Sequence, residues 1–183
     1  MVSLYKTGML RFKIQIFLII LVLFNSCSKE KIQKSIIKEK SLELQVQEAY
    51  NEGMEALEAG DVLYAAKKFN EAEILFPQAV SAPQSALMAA YSYYTQDYYG
   101  DAIAELERFI KLYTTHKDLG YAYYLLAICY YEQIVDEKKD LQSIIKAKET
   151  FNIILKDYPN TEYAIDAEFK IDLIDDILAA KEM

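Results

Sequence analysis

Few residues in this chain have the type and spacing for covalent chemistry. His116 is its only histidine, and Cys129, the one thiol in the body of the chain, has no histidine near it. No CxxC or HExxH spacing occurs and no glycine-rich loop follows a strand pattern, so metal, nucleophile and phosphate sites all lack parts. Asp175 and Asp176 are adjacent carboxylates, but neighbours on a helix diverge around it and form a solvated acidic face instead of an acid-base pair. No catalytic residue, metal ligand or cofactor site is therefore predicted, and the chain reads as a non-enzyme.

Tyrosine is the residue the chain holds in quantity, with 16 among 183 residues and no tryptophan. A tyrosine brings apolar area and a hydroxyl to a binding surface at little entropic cost, which suits a groove that holds peptide backbone. The tyrosines cluster between Tyr91 and Tyr131. Shifted by 37 residues, that stretch partly overlays itself: Ala90 falls on Ala127, Tyr93 on Tyr130 and Tyr94 on Tyr131. A period in this range is the mark of stacked helical hairpins.

The elements that must position these residues follow from that period. The first repeat carries Gly53, Ala65, Phe69, Ala72 and Pro77, the spacing of the tetratricopeptide pattern. Gly53 lets two antiparallel helices touch, the alanines keep the facing surface shallow, Phe69 fills the gap, and Gly60 with Asp61 makes the turn. The second repeat has Ala90, Tyr93, Ala102, Leu106 and Phe109, with Asp97 in place of the turn glycine and Thr114 in place of the proline. The third keeps Ala127, Tyr130, Ala147, Phe151, Ile154 and Pro159, but a charged insertion of eight residues, Ile134 to Leu141, separates its helices. After Pro159, Ala164, Ala167, Ile171, Ile174 and Leu178 recur at helical spacing. That helix either caps the third repeat, with Asp166, Asp172, Asp175 and Asp176 facing solvent, or bridges into further repeats, leaving Ile174 and Leu178 partly bare.

The predicted fold is all-α: a tetratricopeptide-like solenoid of about three helical hairpins plus a terminal helix, spanning 43–183. In such stacks the first helix of each pair lines the concave surface. Carried over, this places Tyr50, Met54, Tyr91, Tyr94, Tyr121, Tyr124 and Tyr131 in a peptide-binding groove, with Tyr93, Tyr123 and Tyr130 packed between helices. The competing reading is that tyrosines at helical spacing belong to the core.

Composition agrees with a packed helical chain: 53% hydrophobic, 26% charged, five glycines and three prolines. The net charge is -8, and because the first 26 residues hold three bases and no acid, the remainder has 17 bases against 28 acids. Such a surface repels nucleic acid. Arg108 is the only arginine beyond residue 26, which also argues against phosphate recognition.

The first 26 residues read as an export signal, a basic start followed by the apolar run Ile14–Phe24. A run of eleven residues, ten of them apolar, is short for a membrane-spanning helix. An uncleaved anchor and an ordinary signal peptide remain alternatives, but Cys27 at the end of the run resembles the lipobox of bacterial lipoproteins. The resemblance implies a covalent lipid on Cys27, no other cofactor, and sorting to the outer membrane. Residues 27–42 then form the lipidated N-terminus and a charged tether, in which Ile32, Ile36 and Ile37 could make a helical turn on a partner. With Cys27 acylated, Cys129 has no disulfide partner and reads as a buried, inert thiol.

YNEGMEALEAGD, AAYSYY, AIAELERFIKLY, YAYYLLAICYYEQI with its insertion, YPNTEYAIDAEFKIDLI and LAAKEM together resemble the BamD family, the lipoprotein of the outer-membrane β-barrel assembly machinery. The resemblance covers the chain from Cys27 onward. It implies a non-catalytic scaffold facing the periplasm, with the barrel-forming subunit, other lipoproteins of the machinery and the C-termini of unfolded barrel proteins as partners. Family members continue into two more repeats where the barrel-forming subunit docks, so the chain is either a fragment or a short form that meets its partner differently. A periplasmic repeat lipoprotein acting as an adaptor for cell-wall enzymes is the competing expectation.

Overall fold

The computed structural model describes residues 40–133 and 141–182. The export signal, Cys27, the tether through residue 39 and the insertion at 134–140 lie outside the described residues. The described residues form seven α-helices and no strand: α1 Leu42–Glu58, α2 Val62–Leu75, α3 Ala82–Tyr94, α4 Tyr99–Leu112, α5 Leu119–Glu132, α6 Leu141–Asp157 and α7 Glu162–Glu182. Each packs on the next, and α7 also reaches α5. The result is the tetratricopeptide-like stack, with hairpins α1–α2, α3–α4 and α5–α6 followed by α7.

Local chemistry sets the helix ends. The Ser41 hydroxyl accepts from the Leu44 N–H at 3.3 Å and the Asp61 carboxylate accepts from the Tyr64 N–H at 3.2 Å, satisfying donors that open a helix. The turns inside the first two hairpins are the same turn 37 residues apart. In one, the Asp61 N–H bonds to the Ala56 carbonyl and Gly60 N–H to Leu57; in the other, Tyr98 N–H bonds to Tyr93 and Asp97 N–H to Tyr94. This pattern needs a left-handed residue at its bend. Gly60 supplies it at φ 80°, and Asp97 adopts it at φ 61° despite its side chain. The Tyr99 hydroxyl, donating to Asp97 Oδ1 at 2.7 Å, ties that side chain down.

The core repeats with the sequence. Ala65, Ala102 and Ala147 are fully buried, as are Phe69, Leu106 and Phe151, and Ala72, Phe109 and Ile154. Each set is one position of the repeat, spaced 37 and then 45 residues because of the insertion. Gly53 is needed where it stands: a Cβ there would lie 2.9 Å from the ring of Phe69. Gly120 has the same role at the start of α5, where a Cβ would meet the Tyr158 ring at 2.9 Å.

Helix α7 packs inward through Ala164, Ala167 and Ile174, with Ile171 and Leu178 half-buried beside them. Two expectations change here. Ile174 is fully buried, and the bare apolar residues of α7 are Ile165 and Phe169, on its opposite face. Asp166 does not join the solvent stripe: it turns toward α5, where it is half-buried and accepts the Tyr124 hydroxyl at 2.8 Å. Asp172, Asp175 and Asp176 are exposed, Asp175 pairing with Lys148 of α6. Among the described residues no helix is long and apolar enough to cross a membrane.

Candidate functional site

Two adjoining cavities lie along the first helices of the hairpins. One, of about 620 Å³, is lined by apolar Val46, Tyr50, Phe76, Ala79 and Val80, by the amides of Gln47, Asn51, Gln78 and Gln84, and by Glu43, Ser81 and Ser85. The second, of about 730 Å³, runs past Leu87, Met88 and Tyr91 to His116, Lys117, Tyr121 and Tyr163. Val80 and Gln84 line both, so the two make one groove from α1 across α3 to α5 and α7. A lining that mixes apolar side chains with amide and phenol groups can hold an extended chain, burying side chains and bonding its backbone.

Of the residues assigned to a groove from sequence, Tyr50, Tyr91 and Tyr121 line these cavities. Tyr50 rests edge-on against Phe69 at 5.2 Å and its hydroxyl accepts from Gln84 at 3.3 Å, joining α1 to α3 across the groove. Burial, with Tyr91 and Tyr163 alongside, pushes the Tyr121 phenol up to about 12, so it is a neutral donor at ordinary pH. Met54 is half-buried against the Ala56–Phe69 cluster.

Tyr94, Tyr124 and Tyr131 line neither cavity. Tyr94 is half-buried between Tyr91 and Tyr99, each ring centre 6.3 Å away. Helix α7 meets the other two: Tyr163 stacks on Tyr124 at 5.0 Å, and the Lys170 ammonium sits 4.4 Å over the ring of Tyr131. At the opposite phase, Tyr130 is buried with its hydroxyl donating to Glu107 at 2.6 Å, and Tyr123 packs near Tyr158. Tyr93 is half-buried and touches the cores of both the first and second hairpins.

Sequence reasoning overlooked Gln84, Val80, Phe76 and Tyr163. Val80 carried a usable signal, an apolar residue in a short inter-helix loop, and it stands 98% exposed on the ridge between the cavities.

The chemically suggestive side chains have structural partners. His116 lies edge-on to Phe109 at 5.8 Å, and its Nδ1 accepts from the Asp118 N–H at 3.3 Å, which leaves Nε2 to carry the proton. Cys129 is fully buried, and burial, aided by the Glu132 charge, pushes its thiol up to about 12. Among the described residues no cluster of three or more His, Cys, Asp or Glu could hold a metal.

Comparison with known proteins places this geometry among relatives. The family model YfiO, described as an outer membrane lipoprotein, matches residues 42–183. The chain is 39% identical over 155 residues to the outer membrane protein assembly factor BamD of Caulobacter vibrioides, covering 85% of this chain and 50% of that protein. It is 35% identical over 166 residues to BamD of Rickettsia prowazekii, 91% of this chain and 64% of the relative. BamD of Neisseria gonorrhoeae is 28% identical over 148 residues, 75% of this chain and 55% of the relative. The chain thus spans about half to just under two thirds of the length of these relatives.

Proposed function

Since the chain belongs to the YfiO family of outer membrane lipoproteins, together with the BamD assembly factors, we propose that it is a non-catalytic part of the machinery that assembles β-barrel proteins in the outer membrane, and that it receives unfolded barrel precursors in its groove. The observation that supports this reading is the groove itself: apolar side chains along the first helices of successive repeats, with Tyr50, Tyr91, Tyr121 and four amide side chains among its lining. A precursor presents alternating apolar side chains on an extended backbone, and such a lining answers both.

In this reading a lipid on Cys27 holds the domain at the periplasmic face of the outer membrane. A single acyl chain gives only marginal attachment whereas several hold stably. The groove takes the C-terminal segment of a precursor, and the barrel-forming subunit and other lipoproteins of the machinery are the standing partners. Pull-down with the tagged chain from detergent-solubilised outer membranes tests the assignment: a large barrel-forming protein is expected in the eluate. Recovery of cell-wall enzymes without that protein overturns it in favour of an adaptor role.

A further inference from the structure

The apolar core is not continuous. From α3 to α7 most buried residues form one cluster, while the first hairpin has two small ones, one around Val46 and one around Phe69 that reaches α3 through Ala89, Met88 and Tyr93. Apart from Phe69, Met88 and Tyr93, the contact of that hairpin with α3 is made largely by small side chains. On α2 it offers Ala65, Ala66 and Ala72, and on α3 the buried residues include Ala82, Ser85, Ala89 and Ser92. Small side chains interlock little, and packed helices that interlock little can slide.

What spans the joint on the outer face is polar. Arg108 of α4 forks onto Glu73 of α2, with Nη1 to Oε1 at 2.8 Å and Nη2 to Oε2 at 2.7 Å. The Tyr113 hydroxyl donates to the same carboxylate at 2.6 Å, while Glu105 accepts from Arg108 Nε and from Asn70, both at 2.9 Å. Glu73 is 5% exposed, and these donors satisfy its carboxylate in place of water. Helices α2 and α4 bring almost no backbone close together, which leaves side chains to make the bridge.

We infer that the first hairpin is a separately movable unit that slides on α3, and that the Arg108–Glu73 fork is the catch that holds it. The groove straddles this joint. Tyr50 of α1 and Gln84 of α3 face each other across the first cavity through one hydrogen bond of 3.3 Å, so movement of the hairpin changes the width of that cavity and leaves the second intact. The inference stands apart from the identity of any ligand.

Amide hydrogen exchange of the whole chain tests it with Glu73→Gln, which keeps the shape and removes the charge. Exchange over residues 42–75 should speed up at least about tenfold while α4 to α6 stay within about twofold of wild type. Tyr113→Phe, removing one donor to Glu73, should give the same pattern at smaller amplitude. Spin labels on Gln47→Cys and Lys117→Cys in a Cys27→Ser background read the groove directly, and their distance distribution should broaden in Glu73→Gln. Equal acceleration throughout the chain, global unfolding, unchanged exchange over 42–75, or an unchanged distance distribution would each overturn the inference.

Discussion

The first hairpin and the segment α3–α7 are written in one repeat pattern and held by different means. In the first hairpin one phenylalanine, Phe69, lies among alanines and against a glycine, whereas Phe109, Phe151, Leu106, Ile144, Ile154 and Ile174 share a single continuous core in the rest. Equal landmark spacing therefore does not mean equal coupling. Coupling depends on how much volume meets across each seam, and a landmark alanine meets less than a landmark leucine.

The hardest test of this contrast truncates the same repeat position on both sides. Phe151→Ala should cost about 3–5 kcal/mol and lower the melting temperature of the whole helical signal in one transition. Phe69→Ala should cost less than Phe151→Ala, and hydrogen exchange should place the loss mainly in residues 42–75. A single shared transition for both variants would break the comparison.

Alkaline titration separates the regions by another route. Burial raises the phenols of Tyr94, Tyr121, Tyr124, Tyr130 and Tyr163, all within α3–α7, with Tyr121 pushed up to about 12. These groups stay neutral in the fold yet ionise near pH 10 once released, so unfolding sheds protons above that pH. Their contribution is intact below about pH 10 and falls as pH climbs toward about 12, by up to about 1.4 kcal/mol per pH unit for each phenol. Circular dichroism against pH should show α3–α7 melting within that window.

Gly53→Ala presses a methyl group onto the ring of Phe69, at 2.9 Å before relaxation. Overpacking of this kind costs about 1–3 kcal/mol, less the roughly 1 kcal/mol gained from better helix propensity. The net loss, read by thermal melts, should fall on the first hairpin.

The smallest effect distinguishes the lining of the groove from its surroundings. Tyr91→Ala with Tyr121→Ala should weaken a C-terminal barrel peptide at least about tenfold, or about 1.4 kcal/mol, by fluorescence anisotropy. Tyr124→Phe removes only the bond to Asp166, and should lower stability by about 1 kcal/mol with peptide affinity unchanged. Reversal of those two outcomes would move the binding surface to the α5–α7 seam.

Much of the fold could be read from the chain because it rests on spacing. The period, the small and large landmarks and the turn shared by Gly60 and Asp97 are all local, and local chemistry writes them into the sequence. Helix rotation is different, since it is fixed by whichever neighbour a helix meets. For that reason spacing puts Tyr124, Tyr131 and Asp166 on open faces although α7 meets them, and it leaves open whether Ile174 is covered or partly bare, while the exposed apolar residues of α7 are Ile165 and Phe169. Arg108 stands out as a lone arginine, but its partner Glu73 lies 35 residues away beside Glu71, and nothing in the sequence says which of the two is buried.

The buried thiol of Cys129 gives the molecule a built-in clock. Burial pushes its ionisation far above neutral pH, so the thiol stays protonated at pH 7, and the fold shields it from reagents. Alkylation must wait for α5 to come away from its neighbours, so the labelling half-time in a maleimide chase counts those excursions directly. A chain beginning after residue 27 has no other sulfhydryl. That shortened chain can therefore report the opening rate of its own central repeat without an engineered cysteine.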